Sequence, residues 1–249
     1  MLELKNFSLY INDTNLIDNI NLQINQGEIH VLMGKNGVGK SSIAKSLIGD
    51  DSYKVKGNII FNGEDITNLV TYKRAQKGLY LINQMPPQIE GVTNAELLRV
   101  ALNEKEGKPV NIFEFNKELE SICKSLELDK SFIHKDINVG ASGGERKKIE
   151  LLHMNMLKPS FIILDEIDSG LDVDAIKMVA KNILSYYEKY NPSILIITHN
   201  DNLLKYFDNY KVSVISDKKI IKTGDKSLVK EVLSEGFKEL DKTNIISEK

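Results

Sequence analysis

The stretch GKNGVGKSS, Gly34 to Ser42, decides how the rest of the sequence is read. It fits the pattern G-x-x-x-x-G-K-[ST], follows the apolar run IHVLMG from Ile29 and opens a helical pattern, Lys40 to Ile48, closed by Gly49. In a strand-loop-helix setting, such a loop turns backbone N–H groups toward phosphate oxygens, and the helix N-terminus adds a favourable dipole. Gly34, Gly37 and Gly39 give the backbone its freedom, with Lys35, Asn36, Val38 and Ser42 completing the cradle. Lys40 is the candidate for the β- and γ-phosphates of a nucleotide. The Ser41 hydroxyl is the candidate ligand for Mg²⁺.

Three other short apolar runs end in polar residues: LYLINQ from Leu79, FIILDE from Phe161 and ILIITH from Ile194. With IHVLMG they read as buried parallel strands, and their alternation with helical patterns such as Asp174 to Lys189 points to an α/β core. Ligands of such sheets bind beyond the carboxyl ends of the strands. Gln84, Asp165, Glu166 and His199 stand at those ends beside the glycine loop. Asp165 reads as a Mg²⁺ ligand and Glu166 as the base that polarises a water, the strand pleat sending the two acids in different directions. Gln84 reads as a contact to the metal or the attacking water, and His199 as the group holding water and Glu166 in register. His30, His134 and His153 read as structural. Two further regions differ from this core. Residues 2–28 and 57–65 alternate like a small antiparallel sheet, and residues 89–158 carry helical spacing, an inserted helical subdomain between core segments 1–88 and 159–249. The last stretch, DKTNIISEK, reads as a loose tail.

A second glycine motif, VGASGGERKK at 139–148, starts another helical pattern. Ser142 with the amides of Gly143 and Gly144, followed by Glu145, has the form of an anion nest at a helix start, while Arg146, Lys147 and Lys148 read as a solvated basic face. The sequence of phosphate loop, Gln84, S-G-G-E, FIILDE, SGLD (Ser169, Gly170, Leu171, Asp172) and a histidine is similar to the pattern of ABC-family ATPases, over nearly the whole chain. The resemblance implies an ABC-type nucleotide-binding domain with a P-loop, RecA-like core, a small antiparallel β part and a helical part. It also implies an ATP-dependent homodimer, in which the signature of one copy closes over the ATP of the other and SGLD, the D-loop, lies at the interface. Tyr10 and Ile11 are the alternatives for the family's adenine contact, and Ala141 stands where the family carries a larger apolar residue.

Within that family, VGASGGERKKIELLHM, LDEIDSGLDVDAIKMVA, INQMPPQIEGVTN and TGDKSLVKEVLSEGF resemble the SufC branch, the ATPases of iron–sulfur cluster assembly. This implies a soluble SufB/SufD-like scaffold as partner, docking on Met85 to Thr93 and the following helix. The rival load is a membrane permease, as for the ATP-binding subunit of a transporter. A third reading is a clamp that binds ATP with little hydrolysis, which Glu166 and His199 argue against.

Bulk properties agree with a globular protein. The 41% hydrophobic content supports a core, and 33 basic against 35 acidic residues give a net charge of -2, with no excess to draw nucleic acid. The single cysteine, Cys123, fits a reducing, cytoplasmic setting and cannot hold an iron–sulfur cluster by itself. No apolar run reaches membrane-spanning length, so no direct membrane insertion is expected.

Overall fold

The computed structural model describes residues 1–237; the stretch expected as a loose tail lies outside them. The described residues form two compact units, Met1–Leu81 with Ser160–Glu166 and the residues from Asn191 on, and Ile82–Pro159 with Ile167–Tyr190. Residues 89–158, read as the helical insertion, fall in the second unit, which also takes in residues 82–88 and the helix after SGLD.

The first unit holds two sheets. One has strands β1 (Leu2–Ile11), β2 (Thr14–Ile24), β4 (Lys54–Phe61) and β5 (Glu64–Asp65) in the order β2-β1-β4-β5, all antiparallel. The other contains β3 (Ile29–Gly34), β6 (Leu79–Ile82), β9 (Phe161–Asp165), β10 (Ser193–Thr198), β11 (Lys211–Ser216) and β12 (Lys219–Gly224). Its order is β12-β11-β3-β10-β9-β6. β3, β9 and β10 are buried at every residue, as strands covered on both faces must be, and β10 pairs in parallel with β3 and β9. β11 also lies parallel to β3, and β12 returns antiparallel at the edge. The sheets share one apolar core, in which Phe61 of β4 meets Phe161 of β9 edge to face at 6.0 Å.

Helix α1 (Lys40–Ile48) is fixed at its far end by an arginine. Arg74, on the short helix α2 (Thr71–Gln76), is 3% exposed and donates from Nη1 to the carbonyls of Ser46 and Leu47 at 2.8 and 2.9 Å. Its Nε and Nη2 bond Leu69 O and Thr67 O at 2.7 and 2.8 Å. The guanidinium thus gives the helix-end carbonyl of Leu47 a donor and adds a second one to Ser46 O, which the Gly49 N–H already bonds at 3.1 Å. Gly49 has φ 85°, and a Cβ there would stand 3.0 Å from Arg74 Nε, so both its conformation and the tight fit require glycine.

The second unit contains helices α3 (Asn94–Glu106), α4 (Ile112–Ser125), α5 (Gly143–Leu157) and α6 (Val173–Tyr190), with a two-stranded sheet of β7 (Ile89–Thr93) and β8 (Asp136–Ile137). α3 and α5 each begin in a capping box, Thr93 with Glu96 and Ser142 with Glu145. Between those helices His153 Nε2 meets Asn94 Oδ1 at 2.7 Å, and burial pulls its pKa down to about 4, so this histidine is neutral and structural. A last helix, α7 (Ser227–Glu235), belongs to the first unit. Among the described residues no helix is long and apolar enough to cross a membrane.

Arg74→Ala removes four hydrogen bonds, those to Leu47 O, Leu69 O and Thr67 O and the second donor of Ser46 O, which keeps the Gly49 N–H. Urea denaturation is expected to show a loss of about 3 kcal/mol; an unchanged midpoint would mean that the end of α1 is satisfied by other groups.

Candidate active site

The first unit brings Lys40, Ser41, Asp165, Glu166 and His199 together at the carboxyl edge of its larger sheet. Ile197 of β10 is level with Leu32 of β3 on one side and with Asp165 of β9 on the other. That register puts the loop after Gly34 and the acid at the end of β9 at the same height.

The loop then enters α1 without a side-chain cap, through Gly39 at φ 99°, so the first N–H groups of the helix are left for an external acceptor. Gly34 is needed for a different reason: a Cβ there would lie 2.7 Å from the carbonyl oxygen of Ile215 on β11. Lys40, 3% exposed, donates to Gly34 O at 2.8 Å and to Lys35 O at 3.0 Å, and stands 3.4 Å from Glu166. Burial lowers its pKa, against the opposing pull of Glu166 and Asp165.

Ser41 Oγ donates to Asp165 Oδ1 at 2.8 Å. Asp165 is 4% exposed; burial raises its pKa, the Ser41 hydrogen bond opposes the rise and Glu166 adds to it. This hydroxyl–carboxylate pair offers hard oxygens that suit a small divalent cation. Among the described residues no group of three or more His, Cys, Asp or Glu side chains could hold a metal ion.

Glu166 departs from the sequence expectation in one respect. Its divergence from Asp165 does not come from strand pleating: β9 ends at Asp165, and Glu166 adopts φ 46°, in the left-handed region. Its N–H still bonds Ile197 O at 2.9 Å, so β10 holds the peptide while the turn swings the carboxylate away from the strand. His199 Nδ1, a buried atom with no hydrogen bond among the described residues, lies 3.4 Å from Glu166 Oε1. His30 is structural, its ring nitrogens meeting Glu28 at 3.1 Å and Ser213 at 2.9 Å. Tyr10 carries Lys56 Nζ 4.9 Å from its ring centroid, while Ile11 is half-buried.

Gln84, the S-G-G-E motif and the SGLD turn belong to the second unit. Gln84 is exposed and donates from Nε2 to Ser169 Oγ at 3.3 Å, which joins it to SGLD. Within SGLD, Gly170 has φ 73°, and Asp172 Oδ1 caps the next helix by accepting from Ala175 N at 2.8 Å. At the start of α5, Glu145 Oε2 accepts from Ser142 N at 2.8 Å and from Ser142 Oγ at 2.6 Å. These bonds hold the Glu145 pKa below the usual carboxylate range. Cβ atoms at Gly143 or Gly144 would meet nothing within 4 Å, and neither glycine has a positive φ. The basic face read after this motif is corrected. Lys147 is 4% exposed, Arg146 Nε donates to Ala141 O and Lys148 Nζ to Glu127 O. Only Lys147 is buried; Arg146 and Lys148 stay half-exposed beside their protein acceptors. The i, i+3 spacing of Lys147 and Glu150 was the available signal for a paired face.

A family model described as ABC transporter matches residues 17–169. The probable ATP-dependent transporter ycf16 of Antithamnion sp. is 40% identical, covering 97% of this chain and 98% of its own length. Vegetative protein 296 of Bacillus subtilis is 38% identical, covering 95% of this chain and 91% of its own. Among solved structures, the dimeric post-hydrolysis state of an ATP-binding cassette bound to ADP and Pi shares the fold, with a TM-score of 0.76 at 20% identity over 90% of this chain and 98% of that one.

A folded-state pKa above the ordinary 3.8 means that Asp165 stabilises the fold only when protonated. That contribution is full below 3.8 and lost as pH rises through the folded-state value, so the ionised carboxylate is a burden at neutral pH. Asp165→Asn, which keeps an acceptor for Ser41, is expected to raise stability by about 1 kcal/mol at pH 7.5. The gain should vanish in acid; urea midpoints that fall at pH 7.5 would contradict this account.

Proposed function

This chain belongs to the ABC transporter family of ATPases, and we propose that it is the ATP-hydrolysing subunit of a SUF-type iron–sulfur cluster assembly complex. In this reading it is cytoplasmic, dimerises on ATP and drives a conformational change in a SufB/SufD-like scaffold.

The observation that carries the dimer is the open space at Gly143 and Gly144. Glycine is a poorer helix former than alanine, and here neither φ nor crowding within the described chain asks for it. The bare backbone serves close approach by a group from outside: the γ-phosphate of ATP held in the phosphate loop of a second copy. Two such copies, head to tail, make two composite sites, with the D-loop Ser169, Gly170, Leu171 and Asp172 between them.

In each site the N–H groups of the loop from Gly34 to Ser42 take phosphate oxygens, and Lys40 exchanges the carbonyls of Gly34 and Lys35 for the β- and γ-phosphates. Ser41, Asp165 and Gln84 are the residues that would hold Mg²⁺, which when bound neutralises charge on the phosphate oxygens. Glu166 accepts the proton of the water that attacks the γ-phosphorus, and ADP departs. His199 keeps the Glu166 carboxylate aimed, a contact of 3.4 Å that tightens as the substrate is engaged.

The scaffold reading is supported by the segment after Gln84, where Met85 is 82% exposed. A partner seated there touches the residue next to the metal-sensing glutamine. Cys123 is buried with its thiol pKa pushed up to about 11 by desolvation, so cluster chemistry falls to the partner. The second reading, the ATP-binding subunit of a membrane transporter, is favoured by the transporter name of the Antithamnion relative.

Glu166→Gln is expected to cut phosphate release by about 100-fold or more while ATP binding persists, and undiminished turnover would remove Glu166 from the role of base. A second experiment isolates the tagged wild-type chain with its native partner. A soluble, β-rich scaffold that stimulates phosphate release when added back is the expected result. A multi-spanning membrane protein would move the function to transport and leave the nucleotide site as described.

A further inference from the structure

Asn83 is the first residue beyond β6 and the immediate neighbour of Gln84, and one helix holds its main chain by both polar groups. Lys147 Nζ donates to the Asn83 carbonyl and, at 2.9 Å, to Glu150 Oε2. The other oxygen, Glu150 Oε1, accepts from the Asn83 N–H at 2.9 Å. Both charged side chains are buried, Lys147 at 4% and Glu150 at 6% exposure. Beyond Asn83, Gln84 turns outward and bonds Ser169.

A buried ion pair is a poor device for stability alone, since well-packed apolar residues of similar volume serve a fold as well or better. An apolar pair, however, cannot grip a peptide by its donor and its acceptor together. Here the two charges, one helical turn apart on α5, close a ring with the Asn83 peptide groups, and α5 is the helix that opens with Ser142, Gly143 and Gly144. A shift or rotation of α5 therefore pulls the Asn83 backbone with it, and Gln84 follows through a single peptide link.

We propose that Lys147 and Glu150 are positioning residues for Gln84, transmitting the placement of the signature helix to the glutamine through the main chain of Asn83. The proposal rests on the reading of Gln84 given above and adds the part that sets it. Neither side chain touches substrate in this account. Their effect is on where Gln84 stands when the signature engages phosphate.

The test compares the Lys147→Met/Glu150→Leu chain with Gln84→Ala and with the triple substitution. It reads kcat and KM for ATP across a Mg²⁺ titration, affinity for a fluorescent ATP analogue, and urea midpoint. The double substitution is expected to keep the analogue affinity of the parent, lower the urea midpoint only as far as the two lost Asn83 main-chain bonds require, lower kcat by about 10- to 100-fold and require more Mg²⁺ for half-maximal turnover. In the Gln84→Ala background it should add nearly nothing. Losses that multiply in that background, or parental kcat and Mg²⁺ dependence in the double substitution, overturn the proposal. The two ways of failing are separable: a normal Gln84→Ala chain removes the role of the glutamine itself, whereas a damaged Gln84→Ala beside a normal double substitution removes only the clamp. If the double substitution does not fold, Lys147→Met alone removes the hold on the Asn83 carbonyl while Glu150 keeps the Asn83 N–H, and a smaller loss of kcat and Mg²⁺ affinity of the same kind is expected; parental values overturn the proposal.

Discussion

The candidate active site depends on the register in which β10 lies between β3 and β9. Ile197 stands level with both Leu32 and Asp165, so the phosphate loop and the acidic strand end reach the sheet edge together. Slipping β9 by one residue would turn Asp165 to the opposite face and break its 2.8 Å bond to Ser41. The register is held by apolar burial. Ile194, Leu195, Ile196 and Ile197 are each at most 1% exposed, and a buried side chain of this size contributes about 1.5 to 3 kcal/mol that a slipped strand would forfeit in part.

Two helix N-termini solve the same electrostatic problem differently. α1 enters through Gly39 with no side-chain cap, and its far end is tied down by Arg74. α5 is capped from within, by the reciprocal bonds of Ser142 and Glu145, yet keeps bare backbone at Gly143 and Gly144. In the proposed site the first holds an anion bound by its own chain. In the proposed dimer the second meets an anion held by another copy, after which the paired charges on α5 carry that engagement to Gln84.

Much of this was legible because the signals are local. The limits of α1, Lys40–Ile48 with Gly49 in the left-handed region, follow from a glycine loop, a helical pattern and a glycine stop. The fully buried strands β3, β9 and β10 follow from unbroken apolar runs. What stayed hidden depends on distant partners. β11 and β12 are short, charge-flanked segments made into strands by pairing, β11 with β3 and β12 with β11. Lys147 looked like a solvated cation because its partners include the Asn83 carbonyl, 64 residues away. The turn at Glu166 likewise escaped the alternation rule, since β10, through Ile197 O, holds a backbone that has already left the strand. Local pattern located the candidate groups at the strand ends; tertiary contacts oriented them.

The central claim is that the phosphate loop and the S-G-G-E motif serve one nucleotide from two different chains. Complementation tests it most directly, by measuring phosphate release from Lys40→Ala chains, from Ser142→Arg chains and from an equal mixture of the two, with the scaffold partner present. Each chain alone lacks one half of every site. In the mixture, the intact loop of one chain faces the intact signature of the other, so activity is predicted to return. A mixture as inactive as its components would contradict the composite site.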